Sequence, residues 1–322
     1  MISVASKTDV QRTARSLGRA SRVWLDPAHP LRREAVWALQ VSTGFTRSMI
    51  ERALTAAFEE LTEDKILKFS AETLSAHSEA PRAVLHILAG NVFTAWLPGA
   101  VTTLLLGSGC DLKPSAREPV FAPFWKRSIE SADAALGEQI HIVRWHEDLL
   151  RRYPAVVAYG SDATLTALRA LAPPETHFIG YGHKISVAVL WKEALAPEHV
   201  SDVLGRLEKD AAVFDLQGCL SPQILYLDGE DPGLFEGLYS RVRVMPQMKR
   251  FESWDILKSE LESFQPYLSA MGYAGPDARM GPLQDDLDAL GFSRVCPVGE
   301  MQRPPLSWRN GGILLAEALA LR

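Results

Sequence analysis

The sequence predicts an α/β protein built on a largely parallel, doubly wound sheet. From about residue 80, short apolar runs alternate with helical stretches in βαβα order, and that order closes as parallel strands joined by helical crossovers. Two of the runs, AVLHILAG (83–90) and AVVAYG (155–160), each end on a glycine and read as buried strands. With 322 residues and 47% hydrophobic content, the chain can bury one large core or two that share an interface.

The elements follow in order. The start, MISVASKTDVQRTARSLGRASRVW, has scattered arginines but no apolar core segment, so it reads as the start of a first helix rather than a secretory signal. Residues 31–80 are expected to be helical, because Ile50, Leu54, Phe58 and Leu61 recur at three- and four-residue spacing. Residues 87–110 carry no charge and are long enough to span a bilayer. Asn91, Pro98 and four glycines interrupt them, so a strand ending at Gly90, a turn and a buried helix ending near Gly107 fit better, and no membrane span is expected. CDLK is then a short strand, EPVFAPFWKRSIESA a helix, HIVRW a strand and HEDLLRRY a short helix. AVVAYG is followed by the helix SDATLTALRAL, and the apolar runs of THFIGYGHKISVAVLW give two short strands across a glycine-rich turn. Past residue 220 come the strand QILYLDG, a helix around PGLFEGLYSRV and a longer helix around SWDILKSELESFQPYLSAM. The tail PVGEMQRPPLSW is proline-rich and reads as irregular chain laid over a surface. A boundary near residue 210 divides the chain into 1–210 and 211–322.

Composition excludes several functions. The formal net charge of −5, without Lys/Arg runs or interleaved aromatics, argues against nucleic acid as a partner. Cys110, Cys219 and Cys296 are odd in number and far apart, without metal-ligand spacing. That argues for a reducing compartment, the cytoplasm, and against both a disulfide framework and a structural metal.

Five places carry chemistry-bearing residues. In AVVAYGSDATL a strand passes through Gly160 straight into a helix, where Ser161 or Asp162 suits the N-cap and backbone N–H groups point outward toward an anion. An acid aimed at phosphate would repel it, so Asp162 is expected to cap. Lys113, just past a strand and ahead of Pro114-Ser115, is either a surface lysine or a group reaching a ribose hydroxyl or phosphate. Asn91, in the turn after Gly90, either tolerates a left-handed conformation or donates its amide to an oxyanion. His183 sits in a turn flanked by glycine, where it is polar surface or a proton shuttle. Cys219 follows Gly218 at the lip of a strand, and is either a small apolar filler or a nucleophile.

Taken in order, GNV (90–92), DLKPSAREP (111–119), AYGSDATL (158–165), GYGHKISVAV (180–189) and FDLQGCLSPQ (214–223) resemble the LuxC-type acyl-CoA reductases, a branch of the aldehyde dehydrogenase superfamily. The resemblance covers residues 80 to 230 or so, and YGSD and QGCLSP are its specific blocks. It implies an aldehyde-dehydrogenase-like fold, a variant Rossmann doubly wound sheet that lacks GxGxxG, with a second α/β catalytic domain carrying the cysteine. It also implies roles. Cys219 matches the nucleophile, and Asn91 the asparagine whose amide joins a backbone N–H in the oxyanion hole. Lys113 and Ser115 match the loop that grips the adenosine ribose, where a lysine favours NADPH. Gly160 and Ser161 match the turn beneath the pyrophosphate, and His183 is assigned a proton-carrying role.

Aldehyde-oxidising relatives carry a glutamate that activates water, and Gly180 of IGYGHK falls opposite it here. Without that base, an acyl-cysteine should resist hydrolysis and accept hydride instead. The expected reaction is NADPH-dependent reduction of a fatty acyl thioester, on coenzyme A or acyl carrier protein, to the aldehyde. Acyl-transferase or synthetase subunits are the expected protein partners. The chain is short for this family before residue 80 and after residue 230. That bears on the acyl tunnel and on the strand flap through which superfamily members form homo-oligomers. It also leaves a rival reading, a non-catalytic relative that binds acyl groups or nucleotide as a partner within such a complex.

Overall fold

Two five-stranded sheets, each wholly parallel, organise the chain in a computed structural model that describes residues 2–3, 6–74, 79–230 and 233–320. Two compact units form around them. The first comprises residues 1–182, 305–309 and 313–322, and the second residues 183–304 and 310–312.

The first unit begins with β1 (Ile2–Ser3), which pairs antiparallel with β2 (Glu79–Ala80). Between them lie four helices: α1 (Lys7–Leu25), α2 (Pro30–Thr43), α3 (Arg47–Glu59) and α4 (Glu63–Thr73). Their starts follow from the sequence. Ser6 and Thr46 accept the backbone N–H groups of Asp9 and Met49 as N-caps, and α2 opens on Pro30 and closes on Gly44 at φ 73°. The expected helical stretch 31–80 is therefore three helices, and residues 75–78 lie outside the described ones. Trp24 of α1 holds these helices to the rest of the unit. Its ring stacks on Phe58 at 5.3 Å and meets Phe121 edge-on at 5.2 Å, while its Nε1–H donates to Ser128 Oγ at 2.9 Å.

The sheet of this unit contains β3 (Ala83–Ile87), β4 (Gly109–Lys113), β5 (Ile140–Ile142), β6 (Ala155–Tyr159) and β7 (His177–Tyr181), in spatial order β5-β4-β3-β6-β7. The crossovers carry α5 (Leu97–Leu105), α6 (Phe121–Ala132), α7 (Ala134–Gly137) and α8 (Asp162–Leu171). Burial surrounds α5 on every side, from Leu97 through Leu105 with only Pro98 half-exposed, which explains its uncharged sequence. Among the described residues, no helix is long and apolar enough to cross a membrane. HEDLLRRY forms only a 3₁₀ turn at Leu150–Arg152.

The second sheet contains β8 (Ile185–Leu190), β9 (Pro222–Leu227), β10 (Gln247–Arg250), β11 (Leu268–Ala274) and β12 (Arg294–Pro297), in order β10-β9-β8-β11-β12. It repeats the winding of the first sheet: the first strand is central, the next two go to one side and the last two to the other. Its crossovers hold α9 (Val200–Ala211), α10 (Leu234–Tyr239), α11 (Trp254–Glu262) and α12 (Gln284–Leu290). One apolar cluster joins Val187, Tyr226, Leu257 and Met271. A second joins Ala188, Leu225 and Leu234 to Val203 and Leu207, which supply the inward face of α9. The chain ends with α13 (Leu315–Leu319), whose Leu315 and Leu319 pack in the first unit beside Val84, Leu106 and Val157.

Two expectations need correction. The two strands read across the turn GYGHK are both present but belong to different sheets: β7 pairs with β6 in the first sheet and β8 with β9 and β11 in the second. The division therefore falls at residues 182/183 rather than 210/211, and residue 210 lies inside α9. The single long helix read over SWDILKSELESFQPYLSAM is α11, a 3₁₀ turn through Pro266 and then β11, because proline removes the N–H a continuing helix needs.

Replacing Trp24 with alanine should cost about 3–5 kcal/mol of stability, the range for deleting a buried aromatic. Urea denaturation measures it, and a loss below about 1 kcal/mol would show that the helices do not depend on this ring.

Candidate active site

The carboxyl edge of the first sheet gathers the residues singled out in that unit. Ile87 is in register with both Lys113 and Ala158, and Tyr159 with Tyr181, so the loops after β3, β4, β6 and β7 all open on one edge. Asn91 lies half-buried in the bend that follows β3. Gly90 beside it has no room for a side chain, since a Cβ there would stand 2.5 Å from Ser115 Oγ. Ser115 in turn accepts the Arg117 N–H at 3.2 Å. Lys113 closes β4, half-buried, with Nζ 6.0 Å from the centre of the Trp145 ring, and burial lowers its pKa.

Gly160 donates its N–H to the Tyr181 carbonyl at 3.2 Å and hands the chain to α8. Ser161 is the N-cap, accepting from Thr164 N at 3.2 Å. The expectation that Asp162 caps is thus wrong: the acid is the first helical residue, where its charge still favours the positive helix end. Gly182 lies so close to Asp162 that a Cβ on it would sit 2.4 Å from Oδ1.

In the second unit, Cys219 precedes β9 at the amino edge of the sheet. The approach is strained. Phe214, Asp215 and Leu216 have φ of 59°, 49° and 58°, a left-handed conformation that costs L-residues of order 1–3 kcal/mol each. Contacts from outside the turn hold it. Arg243 reaches Asp215 at 3.4 Å, and the Cys219 carbonyl accepts the Ser186 hydroxyl, whose oxygen also accepts the Ala270 N–H at 3.0 Å. Ser221 Oγ accepts from Gln302 Nε2 at 3.0 Å, and the same amide donates to the Asp210 carbonyl at 2.8 Å. The buried Asp210 side chain takes the N–H groups of Gly299 and Met301, fixing the tail beside the cysteine loop.

Cys219 as a residue is half-buried, whereas Cys110 and Cys296 are buried. Its sulfur nevertheless lies in dense surroundings. Desolvation pushes the thiol up to about 11, against the pull of its own backbone N–H and of the Lys184 ammonium. His183 is exposed on this unit, with its ring 6.1 Å from that of Tyr267. Sequence alone does not single out Lys184, Ser186, Asp210 or Gln302. Lys184 and Ser186 stand inside the block GYGHKISVAV, but the contacts of Asp210 and Gln302 span 81 to 92 residues and leave no local signature.

The two wound parallel sheets form an aldehyde-dehydrogenase-like fold. A solved structure assigned as an aldehyde dehydrogenase from Burkholderia cenocepacia matches with a TM-score of 0.73 at 16% identity, over 98% of this chain and 86% of that one. An NAD-dependent benzaldehyde dehydrogenase from Corynebacterium glutamicum gives 0.63 at 13% identity, over 92% and 84%. The chain belongs to the LuxC family: residues 7–242 match the family model described as acyl-CoA reductase (LuxC). Among curated relatives, the long-chain acyl-protein thioester reductase of Aliivibrio fischeri is 24% identical over 166 residues, 48% of this chain and 34% of that protein. The Vibrio harveyi protein of the same name is 26% identical over 156 residues, 45% and 32% respectively. The matches thus span about a third of the length of these relatives.

The buried sulfur has a kinetic signature. Alkylation of Cys219 by iodoacetamide should rise about tenfold per pH unit from about pH 7 to 10, because only thiolate reacts. Mass spectrometry of the Cys219 peptide measures it, and a plateau at or below about pH 8.5 contradicts the buried-thiol environment.

Burial also holds the Asp210 carboxyl up at about 7. Near pH 4 and below, folded and unfolded chains both carry its proton. Between about 4 and 7 the unfolded chain releases a proton that the folded chain keeps, so stability falls with rising pH and levels off above 7. Asp210→Asn should remove a decline of roughly 2–4 kcal/mol across that window. Urea titrations at several pH values measure it, and parallel wild-type and variant curves refute it.

Proposed function

We propose that the protein reduces a fatty acyl thioester to the aldehyde with NADPH, through an acyl group carried on Cys219. The observation that carries this reading is the LuxC family match over residues 7–242, which includes a half-buried cysteine in a strained, externally braced turn. In this reading the first unit binds the cofactor and the second is the catalytic unit. The first unit's edge suits a dinucleotide: Gly90 lets the chain pack closely against Ser115, α8 presents its amino end just past Gly160 and Ser161, and Lys113 supplies a cation. NADPH, when bound, supplies the hydride.

The chain's own residues do the rest. The Cys219 sulfur attacks the thioester carbonyl, forming an S–C bond, and the carrier thiol leaves with a proton. The Asn91 amide and a backbone N–H take the developing negative charge on oxygen. With the acyl carbon reduced by the hydride that the bound cofactor would supply, the C–S bond to Cys219 breaks and the aldehyde departs as the sulfur regains its proton. His183 carries protons between sulfur and solvent. Burial favours the protonated thiol in the free chain, and Lys184 is the cation that pulls toward thiolate. Gly180, the fourth residue of β7, brings no carboxylate to activate water. The acyl donor is acyl-CoA or acyl carrier protein, with acyl-transferase or synthetase subunits as partners.

Mixing the chain with myristoyl-CoA and no cofactor should leave an acyl adduct on Cys219, read by intact and peptide mass spectrometry. Cys219→Ala should abolish the adduct and lower NADPH consumption about 10³-fold or more. Asn91→Ala should lower kcat about 10²–10³-fold. Turnover that survives Cys219→Ala overturns the assignment, and NADPH binding without acyl-dependent turnover favours the non-catalytic rival.

A further inference from the structure

A cavity of about 480 Å³ opens in the second unit at the carboxyl edge of its sheet. Its walls come from the residues that follow β8 (Trp191, Lys192), β9 (Asp228) and β10 (Phe251), from Trp254 at the head of α11, and from Arg279 in the turn after β11. Cys219 precedes β9 and so lies at the opposite edge, roughly 20 Å away along a six-residue strand. The cavity is separate from the cysteine.

Its position is one where parallel sheets receive ligands. The chain leaves β8 for β9 on one side and leaves β11 for β12 on the other, although β8 and β11 are neighbours. The connections diverge at that pair and leave a crevice beyond the carboxyl ends of the strands. The volume lies within the range of small-molecule sites.

The lining specifies a chemistry. Trp191 meets Phe251 edge-on at 5.4 Å and Trp254 at 6.2 Å, so one wall is aromatic, and Trp254 is its half-buried member. Such a wall takes a flat heterocycle by stacking. Asp228 follows the second strand of the sheet in chain order, the place from which a carboxylate in this topology accepts ribose hydroxyls. Lys192, exposed, follows the first strand. Arg279 lies over the Trp191 ring at 5.0 Å and is paired with Glu193 at 2.6 Å, which leaves Lys192 as the cation for an anionic group.

We propose that this cavity is a second, non-catalytic site for a ribonucleoside monophosphate, with the base against Trp254, the ribose diol on Asp228 and the phosphate on Lys192. The proposal stands independently of the reductase reading.

Photolabelling of the full chain with 8-azido-AMP, followed by peptide mass spectrometry, tests it. The label should map to the segment around Trp254, and AMP should compete about tenfold better than adenosine, which lacks the phosphate. Asp228→Asn and Lys192→Glu should each weaken AMP competition about tenfold or more. Circular dichroism and the Cys219 alkylation rate report whether these variants fold. Ser161→Arg, which blocks the edge of the first sheet, should leave this label in place. Labelling confined to the first unit, or AMP competition unchanged in both folded variants, overturns the proposal.

Discussion

Parallel pairing is the constraint on which the rest of the structure depends. A parallel neighbour is reached only by a crossover long enough to return to the same end of the sheet, so each strand is followed by a helix or an extended connection. Both sheets obey this with the same winding, β5-β4-β3-β6-β7 and β10-β9-β8-β11-β12. The helices cover both faces, which is why the central strands β3 and β8 are apolar apart from the buried His86 and Ser186. Function is left to the edges, where the loops are free to vary while the pairing holds.

The two units use their edges differently. In the first, Asn91, Lys113, Ser115, Gly160 and Ser161 gather at the carboxyl edge because the register of β3, β4 and β6 ends their strands together. In the second, Cys219 stands at the amino edge, where a turn must deliver the chain into β9. That turn is in an unfavourable backbone conformation, and Ser186, Ser221 and Gln302 brace it from three different parts of the chain. Strain held by surrounding contacts fixes a side chain more closely than a relaxed loop would.

Much of this is legible in the sequence, for local reasons. β3, β6 and β9 are apolar runs closed by glycine or by Asp228-Gly229, and α8 announces itself through Gly160 and Ser161. What escapes a sequence reading depends on pairing at a distance. Nothing in GYGHK distinguishes a turn within one sheet from a passage between two, so the boundary reads as residue 210 although it falls at 182. β11 is absorbed into a helix because its apolar run follows a helical rhythm with only Pro266 between them. Cys219 is visible as a residue and as part of a resemblance. The Asp210 and Gln302 contacts that position its loop are not, since they join residues more than 80 apart.

The last helix has a consequence for how the chain is made. Leu315 and Leu319 complete an apolar cluster whose other buried members fall between residues 80 and 179. During synthesis this one cluster can therefore close only after residues 315–319 have emerged from the ribosome. Residues 183–304 form an almost continuous stretch that does not wait on the final segment. The half synthesised second is in a position to mature first, while the amino-terminal half stands with apolar surface uncovered, a natural client for chaperones during synthesis.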